Sequence, residues 1–258
     1  MASQPSRTLQ DVVFGIHFAP SPTFNVLDLA SWVEAFKEAG LDLQQQAPLP
    51  TVQWSPARQQ TAGFQGLILG PMSQMPRIFL RGDNVSDYLV FQHDRLAFAW
   101  HRTEPVGDEA NYPGYDALRG RWQVLLDRFN RWSVDHLGGV PLLRHLEFSY
   151  QNAFPIEEPE GSSLHVPQYF KLGGFGDRPL EQFHLGWREL VPNTDGGYVD
   201  AVATIGTVPP ATPAFIFNFS AMAPLSPSTS ADTVFATADA VHTHIRAMYA
   251  ATIALDAF

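Results

Sequence analysis

The sequence predicts an α+β fold, an antiparallel sheet with helices packed on one of its sides. Three observations lead there. Apolar residues alternate with polar ones at a period of two in short runs, and turn-forming Gly, Pro, Asn and Asp separate those runs. Two long segments, 114–137 and the stretch after Ser230, instead repeat their apolar residues at three- and four-residue steps. The elements follow in the order strand–helix–strands–helix, then strand–short helix–strands–helix.

Residues 1–10 are polar and read as a flexible N-terminus. Asp11–Phe18 reads as a strand with Val12, Phe14, Ile16 and Phe18 on the core face and Val13, Gly15 and His17 on the other. Pro20 and Pro22 end it. Asn25 fits a helix N-cap, Leu29, Trp32, Val33 and Phe36 form the buried stripe, and Gly40 fits the C′ position. Residues 44–75 are rich in Gln, Pro and Gly, with short strands expected at 51–54 and 66–69. Arg77–Leu80 is another strand, followed by a Gly82-Asp-Asn turn. Asp87 to about Arg102 reads as one long strand that bends or bulges, with Leu89, Phe91, His93 and Arg95 on one face and Val90, Gln92, Asp94, Leu96, Phe98 and Trp100 on the other.

The helix from Gly114 to Leu137 carries Leu118, Trp122, Leu125, Leu126, Phe129 and Trp132 on one stripe, and Gly138-Gly139 with Pro141 ends it. Leu142–Phe154 is strand-like. Residues 157–176 form a loop with one helical turn near 165–170, and strands follow at 181–190, 198–208 and 214–221. Ser230 caps the last helix, which buries Val234, Ala238, Val241, Ile245 and Met248. The order divides the chain into 11–138 and 139–258, two halves of one compact unit. A duplicated β-α-β(n)-α arrangement, like that of TATA-box-binding-type folds, is the first expectation. A helix-grip arrangement, one curved sheet around a long C-terminal helix, is the second.

Composition bounds the function. The 258 residues are 45% hydrophobic and 12% aromatic, enough for a sizeable core, and contain no cysteine, which removes thiol catalysis, disulfides and thiolate metal sites. The net charge of −10 argues against broad electrostatic binding of nucleic acid or anionic membrane. No run of apolar residues is long enough to span a bilayer and the N-terminus has no apolar leader segment, so a cytoplasmic protein is expected. Neither Gly-x-Ser-x-Gly nor His-Glu-x-x-His occurs, and Gly173-Gly-Phe-Gly176 lacks the Lys-Ser/Thr of a phosphate loop. His242 and His244 diverge by roughly 200° on a helix, so they do not chelate together. Neither a metal nor a cofactor is expected.

The unusual polar residues gather in the centre of the chain. Asp94-Arg95 in mid-strand places one charge inward, and Glu147 on the strand after the helix is the candidate partner for Arg95. That pair serves either as a structural contact that sets register or as the wall of a ligand site with His93. Arg119, Arg121, Arg128 and Arg131 put a basic face on one helix, either solvated or a dock for an acidic partner or a phosphate backbone.

The pattern Gln92-x-Asp94-Arg95-Leu96-x-x-x-Trp100-x-Arg102, then Tyr112-Pro113-x-Tyr115, an amphipathic helix, and Glu147-x-x-Tyr150-x-Asn152 resembles a sporadically distributed bacterial protein family of similar length. Where members often carry Asn before the Trp, this chain has Ala99. The family brings no established activity. Its patchy distribution implies an accessory protein of a mobile or defence-associated system. The expectation is therefore a non-enzymatic protein that binds a protein partner encoded nearby, through Gln92, His93, Asp94, Arg95, Trp100, Tyr112, Glu147 and Asn152. The alternatives are a small-ligand receptor or enzyme with a cleft around Asp94, Arg95 and Glu147, and nucleic-acid binding through the arginine helix. The sequence leaves the oligomeric state open.

Overall fold

A computed structural model describes residues 8–21, 23–24, 27–37, 42–46, 77–82, 86–105, 108, 110–156, 171, 184–208 and 212–253. In chain order these form β1 (Leu9–Phe18), α1 (Asp28–Lys37), β2 (Asp42–Gln46), β3 (Arg77–Arg81), β4 (Asp87–Gln92), β5 (Arg95–His101), α2 (Tyr115–Leu137), β6 (Leu143–Pro155), β7 (His184–Leu190), β8 (Tyr198–Val208), β9 (Thr212–Pro224) and α3 (Ala231–Thr252). The expected strands at 51–54 and 66–69, the turn near 165–170, Asn25, Gly40 and Gly173–Gly176 lie outside the described residues.

The strands make one nine-stranded sheet in the order β2-β3-β4-β5-β1-β6-β9-β8-β7. Every neighbouring pair is antiparallel. The two parts of the chain meet at its centre, where β1 pairs with β6 from His17↔His145 to Asp11↔Gln151. Each of these two first strands has the last strand of its own part on its other side, β5 beside β1 and β9 beside β6. Residues 157–183 separate β6 from β7 and are described only at Lys171, so the second part is described as a strand, three strands and a helix.

Alternation along the strands sorts the sheet into two faces. Val12, Phe14, Ile16 and Phe18 of β1, Leu96, Phe98 and Trp100 of β5, Leu146, Phe148 and Phe154 of β6, and Phe215, Phe217 and Phe219 of β9 are buried beneath the helices. Phe14 stacks on Tyr115 and Phe18 meets Phe129, which lays α2 over the centre of the sheet. Trp32 of α1 stacks on Phe91 of β4 with ring centroids 4.6 Å apart, and Phe219 of β9 meets Tyr249 of α3. The buried stripes of the helices follow their spacing, Leu29, Trp32 and Phe36; Leu118, Trp122, Leu126, Phe129 and Trp132; Val234, Ala238, Val241, Ile245 and Met248, while Val33 and Leu125 of the expected stripes are only partly buried. All three described helices thus lie on one face of the sheet, and no described helix or strand covers the other.

The local stop and start signals act as read. Gly138 takes the left-handed conformation at φ 76° beyond α2, a geometry glycine adopts without a Cβ penalty. The Ser230 side chain accepts a hydrogen bond from the Thr233 N–H at 3.3 Å and caps α3. No described helix is long and apolar enough to cross a membrane.

Three elements differ from expectation, the first being β1, which begins at Leu9 within the stretch 1–10 read as flexible and buries Leu9 and Gln10. The long strand over 87–102 is two strands, joined by a two-residue turn at His93-Asp94 and paired from Gln92↔Arg95 to Asp87↔Trp100. The reversal of direction moves Arg95 to the face opposite Leu89 and Phe91, and His93 and His101 no longer share a strand. Phe18 N–H donates to the Asp94 carbonyl at 3.0 Å, so the neighbouring strand β1 holds the turn from its side. β2 was also unexpected, because its Asp-Leu-Gln-Gln-Gln sequence has no apolar alternation and it forms by pairing with β3.

Candidate functional site

Strand pairing brings Arg95 and Glu147 together on the helix-free face. Arg95 of β5 stands opposite His17 of β1, and Gly15 of β1 stands opposite Glu147 of β6. The Arg95 Nη2 donates to Glu147 Oε1 at 2.7 Å, so the bridge crosses over β1. It crosses at Gly15, where a Cβ would sit 3.2 Å from Glu147 Oε2 and 3.3 Å from its Cβ. The absence of a side chain there is what gives the carboxylate its place.

The other carboxylate oxygen, Glu147 Oε2, lies 3.0 Å from His17 Nε2. All three side chains are largely buried, 17% exposed for Arg95, 16% for Glu147 and 7% for His17. Burial pushes the Glu147 carboxyl up, but the His17 hydrogen bond and the Arg95 charge outweigh it and hold the group below the usual carboxylate range. His145, opposite His17 on β6, is held neutral: burial, then the His17 ring and Arg144, depress it to about 4. The predicted Arg95–Glu147 pair therefore exists, with a third member, His17, that sequence reasoning placed on the correct face but did not connect.

The remaining candidates divide between the two faces. Gln92 ends β4 beside Arg95 and is buried. His93 and Asp94 form the turn, with Nδ1 and Oδ1 3.9 Å apart, and Asp94 is buried. Trp100, Tyr112 and Asn152 lie on the helix side. Trp100 and Tyr112 meet edge to face at 5.1 Å, the Tyr112 and Tyr150 hydroxyls are 3.5 Å apart, and Asn152 accepts from the Thr8 hydroxyl at 3.4 Å. The structure does not gather the eight residues into one site. A one-residue shift of register carries a side chain to the opposite face of a sheet, and the hairpin at His93-Asp94 does the same for the residues that follow it.

The arginines of α2 do not form one basic face. Arg119 grips Asp239 of α3 with both ends of its guanidinium, at 2.8 and 3.1 Å. Arg121 bonds Asp87 of β4 at 2.5 Å, Arg128 donates to the Ala35 carbonyl of α1 at 3.0 Å, and Arg131 is exposed. The cause is geometric: α2 lies between α1 and α3, so residues off its apolar stripe meet a neighbour on either side. A shallow groove of about 310 Å³ between the ends of α1 and α2 is lined by Ala35, Arg128, Arg131, Trp132, Asp135 and His136.

A second polar cluster, invisible in the sequence, joins α2 to α3. The Tyr115 hydroxyl donates to Asp239 at 2.7 Å, beside Arg119, and the Tyr115 ring lies flat on His242 at 3.6 Å and 11°. Burial, with Arg246, depresses His242 to about 4 against the opposing pull of Asp239 and Asp116. His145 and His242 therefore make a common prediction. An unfolded imidazole titrates near 6.5, so between about pH 6.5 and 4 the unfolded chain binds protons that the folded chain refuses, and stability rises with pH across that window. His101 acts outside it: its hydrogen bond to Asp11 raises it, and the stability it contributes is lost as pH rises through its folded value. Thermal melts should fall as pH drops from 6.5 to 4, and His242→Gln should flatten that slope. An unchanged slope in the variant would show that His242 does not contribute to it.

No group of three or more His, Asp or Glu among the described residues is placed to hold a metal ion. No protein-family model matches the chain, and no curated protein shows significant similarity to it.

Proposed function

We propose that the protein is a non-enzymatic binding protein that recognises a partner protein with the helix-free face of its sheet. The observation that carries this reading is the closure of the Arg95–Glu147–His17 network. Both oxygens of Glu147 are engaged from within the chain, so the residues that would line a catalytic cleft hold one another in place instead of presenting a base or an acid to a substrate.

Around that network the face offers hydrogen-bonding groups in register. Ser149 pairs with Ser220 and Gln151 with Asn218 across β6 and β9, and all four are partly exposed. Further out, Arg188 pairs with Asp200 through two hydrogen bonds, at 2.6 and 2.7 Å, and lies 3.8 Å from the Tyr198 ring. Of these groups, Arg188 and Tyr198 are of the residue types enriched at protein interfaces, and the Ser, Gln and Asn side chains offer a partner hydrogen bonds. The reading agrees with the accessory role in a mobile or defence-associated system that the family resemblance implies.

Co-expression with the products of the flanking genes, followed by size-exclusion chromatography, tests it. One neighbour product should co-elute with the wild-type chain. The Ser149→Arg variant, which puts one long charged side chain in the middle of the face, should melt like wild type and lose that product. Failure of every neighbour product to bind would end this reading.

A further inference from the structure

At the other end of the same face, β3 carries Arg77, Phe79 and Arg81 on alternate residues while Ile78 and Leu80 are buried beneath the helices. Arg81 stands opposite Tyr88 of β4. The Phe79 and Tyr88 rings stack with centroids 5.7 Å apart at 18°, and the Arg77 guanidinium sits 4.9 Å over Phe79. Arg81 is exposed, and Arg77, Phe79 and Tyr88 are partly so. Arg95 lies two strands from Arg77, about 10 Å across the sheet. One nitrogen of Arg95 bonds Glu147, and its Nε is buried with no hydrogen-bond partner among the described residues.

Three guanidinium groups and two rings thus occupy one corner of a chain whose net charge is −10. Of the carboxylates placed on this face, Glu147 is engaged by Arg95 and His17 and Asp11 by His101, while Asp42 of β2 stands opposite Arg81 in the ladder. Arg77 and Arg81 also make further contacts within the chain. The surroundings register the crowding. Burial and then the Arg95 charge depress Arg77, and burial with Asp11 pushes the Tyr88 hydroxyl up to about 12 against the pull of the arginines, so it stays neutral.

We propose that this corner binds a nucleoside phosphate, with the base against the Phe79–Tyr88 ring pair and the phosphates on Arg81 and its neighbouring arginines. Guanidinium groups match phosphate oxygens in planar, two-pronged geometry, and a partly exposed ring pair gives a flat base something to stack on. An acidic peptide would use the arginines and leave the rings idle. A long single strand would use both, but its further phosphates would extend over an acidic protein, so the patch fits one nucleotide and not a polymer. This site shares Arg95 with the network behind the partner-binding reading, but its anchors Phe79, Arg81 and Tyr88 lie on β3 and β4, away from the polar centre on β6 and β9, so the two can fail separately.

Titration with N-methylanthraniloyl-labelled ATP at low salt, followed by competition, tests the assignment. Saturable binding should appear, and unlabelled ATP should displace the label, whereas decathymidylate and a poly-aspartate peptide should not. Arg81→Ala and Tyr88→Ala should each weaken binding about tenfold, and Tyr88→Phe, which keeps the ring, should bind within about twofold of wild type. Arg81 is exposed, so its variant should melt like wild type and report binding alone. Absence of binding up to about 1 mM, equal binding by wild type and Arg81→Ala, or displacement by the strand or the peptide but not by ATP would each overturn the proposal.

Discussion

Trp122→Ala is expected to lower stability by about 3–5 kcal/mol, the range for truncation of a core aromatic. Trp122 is completely buried in the middle of the α2 stripe, one turn from Leu118 and Leu126, where the helix lies on the sheet. Domains of ordinary stability hold about 5–15 kcal/mol in all, so the variant should unfold at much lower denaturant or temperature than wild type. Its indole Nε1 is buried without a hydrogen-bond partner among the described residues, so Trp122→Phe, which keeps most of the apolar volume and removes that donor, should cost less than half as much. Arg131→Ala, at an exposed position of the same helix, should stay within about 0.5 kcal/mol. Chemical denaturation of the three variants decides the matter. A wild-type midpoint for Trp122→Ala would mean that α2 does not pack on the sheet through this stripe. Arg128→Ala is not a suitable control, because Arg128 donates to the Ala35 carbonyl and its loss affects the end of α1.

Glu147→Ala should cost about 3 kcal/mol, since it leaves Arg95 and His17 largely buried without their shared partner. Removing both charges should be milder than the sum of the single losses. The double variant Arg95→Ala, Glu147→Ala should therefore be more stable than the two separate changes added together, with a coupling of about 1–3 kcal/mol. Strict additivity in a double-mutant cycle would mean that the 2.7 Å contact carries no net interaction.

Much of the secondary structure was legible because it is written in local periods. The α2 stripe, the core face of β1, the Ser230 cap and the Gly138 stop depend on residues within a few positions of one another, and each appears where the spacing requires. The Arg95–Glu147 pair was legible for a different reason: two charges on apolar strands need each other, and few alternatives lay within reach. The His93-Asp94 turn was not, because it contains no glycine and the apolar alternation continues on both sides of it. Without the turn, Arg95 falls on the wrong side of its strand.

The candidate site shows the same division. That Gly15 and His17 share a face follows from the period-two rule applied to β1. That Gly15 stands opposite Glu147, and so lets a salt bridge cross the strand, follows only from the register of β1 on β6, 132 positions apart in the pairing. In the same way, Tyr115 and His242 carry no sequence signal as partners, and Arg119, Arg121 and Arg128 looked like one basic face until three different elements claimed them. The sequence by itself determined which residues become helix and strand, which stripe of each is buried, and that the chain is an α+β protein. The tertiary structure decided which strands are neighbours, and with that which side chains meet on which face. Burial and backbone hydrogen bonding act on residues a few positions apart, whereas contact across a sheet depends on strand order, and one reversal of direction or change of neighbour gives every side chain new partners.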